Sequence, residues 1–181
     1  MKITPLCLIL CCGSILLLPG AASAKPEMAK KLPYKLNISL PPGFAADDDP
    51  IMAQGATYVF DRENGDMGTK ATLRFLKHPS LPQPPAQSDR AAMLDSVMAG
   101  MRGSHGGYEE SPSYEVEAKQ TTYTCADWHG SIFNNDFAGF VCVASFDGKT
   151  VLVEAEDLAS NAGTTLPQLK DSLKAATYAK G

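Results

Sequence analysis

The sequence predicts an α+β fold, with a twisted antiparallel sheet of about six or seven strands, two main helices and one disulfide. Several segments alternate apolar and polar residues, as half-buried strands do, and the clearest pair of them is joined by Asp147-Gly148. Two other segments repeat apolar residues at helical spacing. Cys125 and Cys142 are the cysteines that follow an N-terminal segment resembling an export signal.

The N-terminal segment has a basic residue at Lys2, then an apolar run, then a small-residue cleavage site at residues 22–24. This pattern predicts a signal peptide over residues 1–24 and a flexible leader over residues 25–33. Residues 34–181 are expected to form a single α+β domain in a periplasmic or secreted protein. The three other cysteines lie in the segment that cleavage removes.

The charge of the chain argues against nucleic acid and anionic membrane surfaces as partners. The chain has 16 Lys and Arg residues against 20 Asp and Glu residues, a formal net charge of −4. Phosphate backbones and anionic lipids repel such a chain. The expectations are a protein partner, no cofactor and no membrane insertion after signal cleavage.

The first part of the domain predicts one strand and then a hairpin. Tyr34 to Leu40 alternates apolar and polar residues. Ala56 to Phe60 and Lys70 to Lys77 predict two further strands, with a turn at Asn64-Gly65 between them. The four prolines between Pro79 and Ser88 then predict an extended connector.

The remaining elements are two helices and four strands. Three of these strands are Thr121 to Ala126, which contains Cys125, Phe137 to Phe146, which contains Cys142, and Thr150 to Asp157. Ser88 or Asp89 can cap a helix from Arg90 to Arg102, and a glycine-rich loop follows at residues 103–107. The expected buried residues of this helix are Leu94, Val97, Met98 and Met101. Tyr114 to Ala118 predicts a strand, Ser160 to Gly163 a loop, and Thr165 the cap of a last helix that ends near Tyr178.

The turn at Asp147-Gly148 fixes a register. A two-residue type I′ turn needs positive φ at both central residues, which this pair tolerates. The predicted pairs are Phe146–Lys149, Ala144–Val151, Cys142–Val153 and Phe140–Ala155. One face of this hairpin is then almost wholly apolar and predicted to be core. The opposite face, with Val141, Val143 and Leu152, is mixed, so we expect a helix or loop to cover part of it.

Cys125 and Cys142 are predicted to form a structural disulfide, because an exported protein with two cysteines most simply pairs them. Closing a loop of about 17 residues stabilises the fold by roughly 3 kcal/mol in the chain-entropy model. A redox pair usually has Cys-x-x-Cys spacing, which is absent. With His129 the two thiolates would still be one ligand short of a closed tetrahedral metal site.

Residues 127–136 are predicted to form a loop that joins the two cysteine strands and is anchored at both ends by the disulfide. A rigid scaffold that presents an aromatic loop is a common form of binding surface. The alternative is that Trp128 and Phe133 fold back as a lid on the core. The candidate partner-binding residues are Trp128, His129, Ile132, Phe133 and Phe137.

The sequence predicts no catalytic residue and no metal site. It contains no Gly-x-Ser-x-Gly elbow, and the histidines His78, His105 and His129 are not spaced as metal ligands. Spacing does not decide whether Asp127 or Asp136 assists His129. The acidic clusters lack the twelve-residue calcium-loop pattern.

Two segments resemble the PsbP-like domains, which include the bacterial DcrB-type proteins. Residues 34–44, Tyr-Lys-Leu-Asn-Ile-Ser-Leu-Pro-Pro-Gly-Phe, resemble the opening of these domains, and Asp147 to Ala155 with the helix after it resembles their closing segment. The resemblance implies an α/β/α sandwich, generally non-enzymatic, that acts in binding, as a chaperone or as an accessory protein. The cysteine pair and the aromatic loop depart from the family pattern.

The leading hypothesis is therefore a periplasmic, non-catalytic binding or accessory protein that contacts another protein in secretion, envelope assembly or toxin neutralisation. One alternative is a small-ligand or lipid-binding module, which would need a cavity lined by Val141, Val143 and Leu152. A second alternative is a small hydrolase that uses His129.

Overall fold

An eight-stranded antiparallel sheet runs through the protein. The computed structural model describes residues 27–28, 34–47, 56–65, 69–76 and 87–180. The elements are β1 (Glu27–Met28), β2 (Tyr34–Ile38), β3 (Ala45–Ala46), β4 (Ala56–Glu63), β5 (Lys70–Leu76), α1 (Gln87–Arg102), β6 (Gly106–Glu110), β7 (Tyr114–Glu117), β8 (Thr122–Ile132), β9 (Asn135–Phe146), β10 (Lys149–Leu158), α2 (Ala159–Ala175) and β11 (Thr177–Lys180).

The strand order of the main sheet is β3-β4-β5-β10-β9-β8-β6, and β7 also pairs with β8. A smaller three-stranded sheet has the order β1-β2-β11. Together with two helices in the described part of the chain, this confirms the predicted α+β class, with slightly more strands than expected.

The register predicted from the Asp147-Gly148 turn is confirmed. Phe146 pairs with Lys149, and the pairing continues through Cys142 and Val153 towards the end of β10. Asp147 and Gly148 have φ values of 46° and 73°, as the type I′ turn requires. The local turn chemistry therefore determined the pairing of the two central strands.

Both faces of the main sheet are covered. On the face that we call the α2 face, Phe140, Cys142 and Val153 pack with residues of α2 and of the smaller sheet. On the opposite α1 face, Val141 and Val143 are fully buried and pack with α1 residues. The result is an α/β/α arrangement of layers.

Helix α1 covers the mixed sheet face, as expected. Its Leu94, Met98 and Met101 are buried, which confirms most of the predicted stripe. Leu152 belongs to the same packed cluster. The sheet face on which a ligand cavity was considered is therefore filled by side chains of α1.

Two predictions near α2 are wrong. The expected loop at residues 160–163 is the first part of α2, which begins at Ala159 directly after β10. Thr165 is not a cap but a buried residue within the helix. Burial of Ala162 and Thr165 against the sheet outweighs the low helix propensity of Gly163, which costs about 1 kcal/mol.

The chain ends also differ from expectation. The last helix ends at Ala175, and Tyr178 lies in β11, where it pairs with Leu36 of β2. Residues 106 and 107, expected in a loop, begin β6. Within the expected flexible leader, Glu27–Met28 pair with β2, and the rest of that leader lies outside the described residues, as do the signal segment and residues 77–86.

A buried polar network joins β4, β10 and α2. Asp157 is fully buried and accepts hydrogen bonds from Asn64 Nδ2 at 2.7 Å and Arg62 Nη2 at 3.3 Å. Arg62 Nη2 also donates to Thr165 Oγ1 at 2.8 Å. Because a buried carboxylate is costly unless it is paired, these contacts hold the start of α2 against the sheet.

We expect Asp157→Ala to lower the free energy of unfolding by about 3 kcal/mol, because Arg62 and Asn64 lose the buried carboxylate that accepts their hydrogen bonds. Urea denaturation measures this change. Lys174→Ala is the control, since it removes an exposed ion pair with Asp171 and should cost less than about 0.5 kcal/mol. A similar effect of both substitutions would contradict the structural role of the network.

Candidate contact site

The segment predicted to be a loop at residues 127–136 is instead the end of a hairpin. β8 continues to Ile132 and β9 begins at Asn135, and these two residues pair with each other. The turn is Phe133-Asn134, with φ values of 50° and 66°. The loop prediction is wrong because β8 pairs with β6 on its other side, a long-range contact that stabilises the extended conformation.

The predicted disulfide is confirmed. Cys125 and Cys142 are directly opposite each other in β8 and β9, with Cα atoms 4.1 Å apart. Ile132 is seven positions beyond Cys125, so the crosslink lies roughly 23 Å from the tip at about 3.3 Å per residue. Counting outward from directly opposed cysteines would have placed the turn at residues 133–134, which is the signal that the sequence interpretation missed.

Trp128 lies on the α1 face and is only 3% exposed. Its ring packs against His105, with ring centroids 4.9 Å apart, and Tyr108, with centroids 6.2 Å apart. Its partner across the strands is Gly139, and a Cβ atom there would lie 2.7 Å from Trp128 Cε2. The glycine therefore provides the space in which the indole ring lies, and Trp128 fixes the hairpin to the core.

Phe133 has the opposite environment, because its side chain is 95% exposed at the tip. Ile132 and Phe137 are half-buried behind it. The lid alternative placed both Trp128 and Phe133 on the core. In the structure, Trp128 belongs to the core and Phe133 projects into solvent.

His129 is exposed on the α2 face of the hairpin. Its Nε2 atom lies 3.1 Å from Glu109 Oε2 on β6. Asp127 is instead held by Tyr114 and Lys170, whose hydroxyl and ammonium groups donate to Asp127 Oδ1 at 2.6 and 2.7 Å. His129 therefore pairs with Glu109, and not with Asp127 or Asp136.

The contacts of Asp127 anchor β7 and α2 to β8. Burial of the Tyr114 hydroxyl, and then its hydrogen bond to Asp127, raise the pKa of Tyr114, so that it remains a neutral donor. The Lys170 ammonium group also lies 5.1 Å from the centroid of the Tyr114 ring. These contacts fix the base of the exposed hairpin end.

Two shallow depressions of about 370 Å³ each flank His129. The residues that line the first include Glu109, Ser111, Asp127, His129, Ala138 and Leu166. The residues that line the second include Gly106, Gly107, His129, Ser131, Asp136 and Phe137. The hairpin end therefore combines a projecting aromatic tip with two depressions that contain both polar and apolar residues.

Across the described ranges, no group of three or more His, Cys, Asp or Glu side chains is arranged to hold a metal ion. In those ranges no helix is long and apolar enough to cross a membrane. His78 lies outside the described residues.

Comparisons with known proteins identify the fold. The crystal structure of LpqN, involved in cell envelope biogenesis of Mycobacterium tuberculosis, aligns with a TM-score of 0.60 and 8% identity over 81% of this chain and 84% of that one. The solution structure of the cyanobacterial PsbP protein CyanoP, from Synechocystis sp. PCC 6803, aligns with a TM-score of 0.57 and 16% identity over 92% and 96%.

The chain has a PsbP-like fold. The α/β/α layering implied by the sequence resemblance is thus confirmed at the level of fold. No protein-family model matches the sequence, and no curated protein matches it.

We expect Gly139→Ala to destabilise this PsbP-like domain by about 2 kcal/mol or more. The added Cβ atom would lie 2.2 Å from the carbonyl oxygen of Ala155 and would also displace Trp128. Chemical denaturation, followed by Trp128 fluorescence, measures both effects.

Gly163→Ala is the matched control. A Cβ atom at this position within α2 meets nothing within 4 Å, so the same substitution should raise stability by about 0.5–1 kcal/mol. If Gly139→Ala were tolerated as well as Gly163→Ala, the packing of Trp128 described here would be incorrect.

Proposed function

We propose that this protein is a non-catalytic binding or accessory protein of the cell envelope that docks onto another protein through the tip of the β8–β9 hairpin. The observation that carries the proposal is Phe133, a large apolar side chain that is 95% exposed at the outermost point of a hairpin. An exposed aromatic side chain on a rigid support is a typical anchor of protein interfaces.

The folding of the domain gives no reason for phenylalanine at this position. Phe133 has a φ of 50°, a left-handed conformation that costs a residue with a Cβ atom about 1 kcal/mol. Asn or Gly would fit the turn better. A residue that disfavours both local folding and solubility is a reasonable candidate for a role in binding.

The hairpin is also held in a fixed conformation before any partner binds. The Cys125–Cys142 disulfide crosslinks the two strands of the hairpin within the core. On the α1 face of the hairpin, Trp128 packs against Tyr108 and Gly139. A preorganised contact loses little conformational entropy on binding. This supports a docking role for the tip.

The expected location supports an envelope role. Residues 1–24 have the features of an export signal, and disulfides persist in oxidising compartments. The structurally similar LpqN is described as involved in cell envelope biogenesis. We therefore propose a periplasmic or secreted location, with the partner in the same compartment.

The proposal predicts opposite effects of Phe133→Asn on stability and on binding. Asn suits the left-handed turn position, so the free energy of unfolding should rise by roughly 0.5–1 kcal/mol. Recovery of the partner with the tagged protein from envelope extracts should nevertheless fall at least tenfold, because the aromatic anchor is lost.

Asp147→Asn provides the control at the neighbouring hairpin. Asp147 has a φ of 46°, and Asn is equally suited to this turn. Partner recovery should therefore match that of the unmodified protein. Undiminished recovery with Phe133→Asn, at unchanged or higher stability, would refute docking through the tip.

A further inference from the structure

We infer that the partner surface is basic, and that a Lys or Arg side chain of the partner occupies the first depression beside His129 while Phe133 enters an apolar recess. This inference rests on the proposed function and adds the chemistry of the partner. We call the depression lined by Glu109, His129, Ala138 and Leu166 the hairpin groove.

The strand register places two carboxylates around His129 on the α2 face. Glu109 of β6 is paired with His129, and His129 is paired with Ala138 of β9. Asp136 is two residues from Ala138 and pairs with Ser131, so it lies on the same face, diagonal to His129. Glu109 and Asp136 thus flank His129 from different strands.

Within the described residues, neither carboxylate is paired with a Lys or Arg side chain. Glu109 is 77% exposed, and its side chain pairs with His129. Asp136 is exposed and makes no ion pair with any described residue. The neighbouring cations are already engaged: Lys170 is bound to Asp127, and Arg102 to Glu110 and Asp95.

The groove offers apolar surface to a long cationic side chain. Ala138 and Leu166 provide apolar surface, along which the methylene stem of Lys or Arg can lie. Glu109 at the margin of the groove, and Asp136 in the second depression on the other side of His129, can then accept hydrogen bonds from the cationic end. Phe133 is four positions beyond His129, so the basic residue and the apolar recess of the partner should be roughly 13 Å apart.

The acidic cluster around Asp61 of β4 already has a lysine partner. There Lys70 Nζ lies 2.7 Å from Asp61 Oδ2 and 3.5 Å from Asp47 Oδ2, so the chain supplies its own cation. The hairpin groove differs because it combines exposed carboxylates with apolar surface beside the projecting Phe133. Charge complementarity therefore favours a basic partner at the hairpin end.

The test uses an N-acetylated tetra-arginine peptide as the probe and the ¹⁵N-labelled protein. Titration should produce saturable amide shifts at Glu109, His129, Asp136 and Ala138. Glu109→Gln/Asp136→Asn should weaken peptide binding about five- to tenfold, as expected for the loss of two exposed charge contacts.

Glu115→Gln/Glu117→Gln is the matched control, because it removes the same charge from the adjacent strand β7. It should change peptide affinity less than twofold. The inference is overturned if no saturable shifts occur, if they centre on the β4 cluster, or if both double variants weaken binding equally.

The peptide has no aromatic recess, so it tests the groove separately from the tip. Phe133→Asn should bind the peptide as well as the unmodified protein does. If the peptide does not bind at the groove but partner recovery still requires Phe133, the basic-partner inference is wrong and docking through the tip stands. Partner recovery that is independent of Phe133 would refute the proposed function, whatever the peptide does.

Discussion

The covalent bond between Cys125 and Cys142 connects two strands at directly opposite positions, and much of the remaining structure depends on the register that it fixes. A shift of one residue between β8 and β9 would move every side chain of one strand to the other face. The bond excludes such a shift at the centre of the sheet. Outward from it, the same register places Trp128 opposite Gly139 and brings Phe133 to the tip.

Successive side chains of this hairpin point to opposite faces, and the two faces have different environments. On the α1 face, Trp128 fills the space above Gly139 and is enclosed by His105 and Tyr108, so this face contributes packing. On the α2 face beyond Asp127, His129 and Asp136 are exposed, and two depressions adjoin them. The hairpin is thus rigid because of one face and available for contact through the other.

The sequence predicted those parts of the fold that depend on local chemistry. Asp147-Gly148 determines its own turn, so the β9–β10 register followed by counting. The β8–β9 tip could not be recognised in that way, because Phe133 occupies a left-handed position that usually takes Asn or Gly. The exposure of Phe133 and burial of Trp128 required the partner strand to be known, and β11 pairs with β2 across most of the chain, a contact that local patterns do not contain.

Site-specific photo-crosslinking in intact cells tests docking through the hairpin tip most directly. A photo-reactive amino acid would replace Phe133 in one variant and Asp147, at the tip of the neighbouring hairpin, in another. We predict a covalent adduct of defined mass with a second envelope protein from position 133 and none from position 147. Adducts from position 147 alone, or from neither position, would contradict the account.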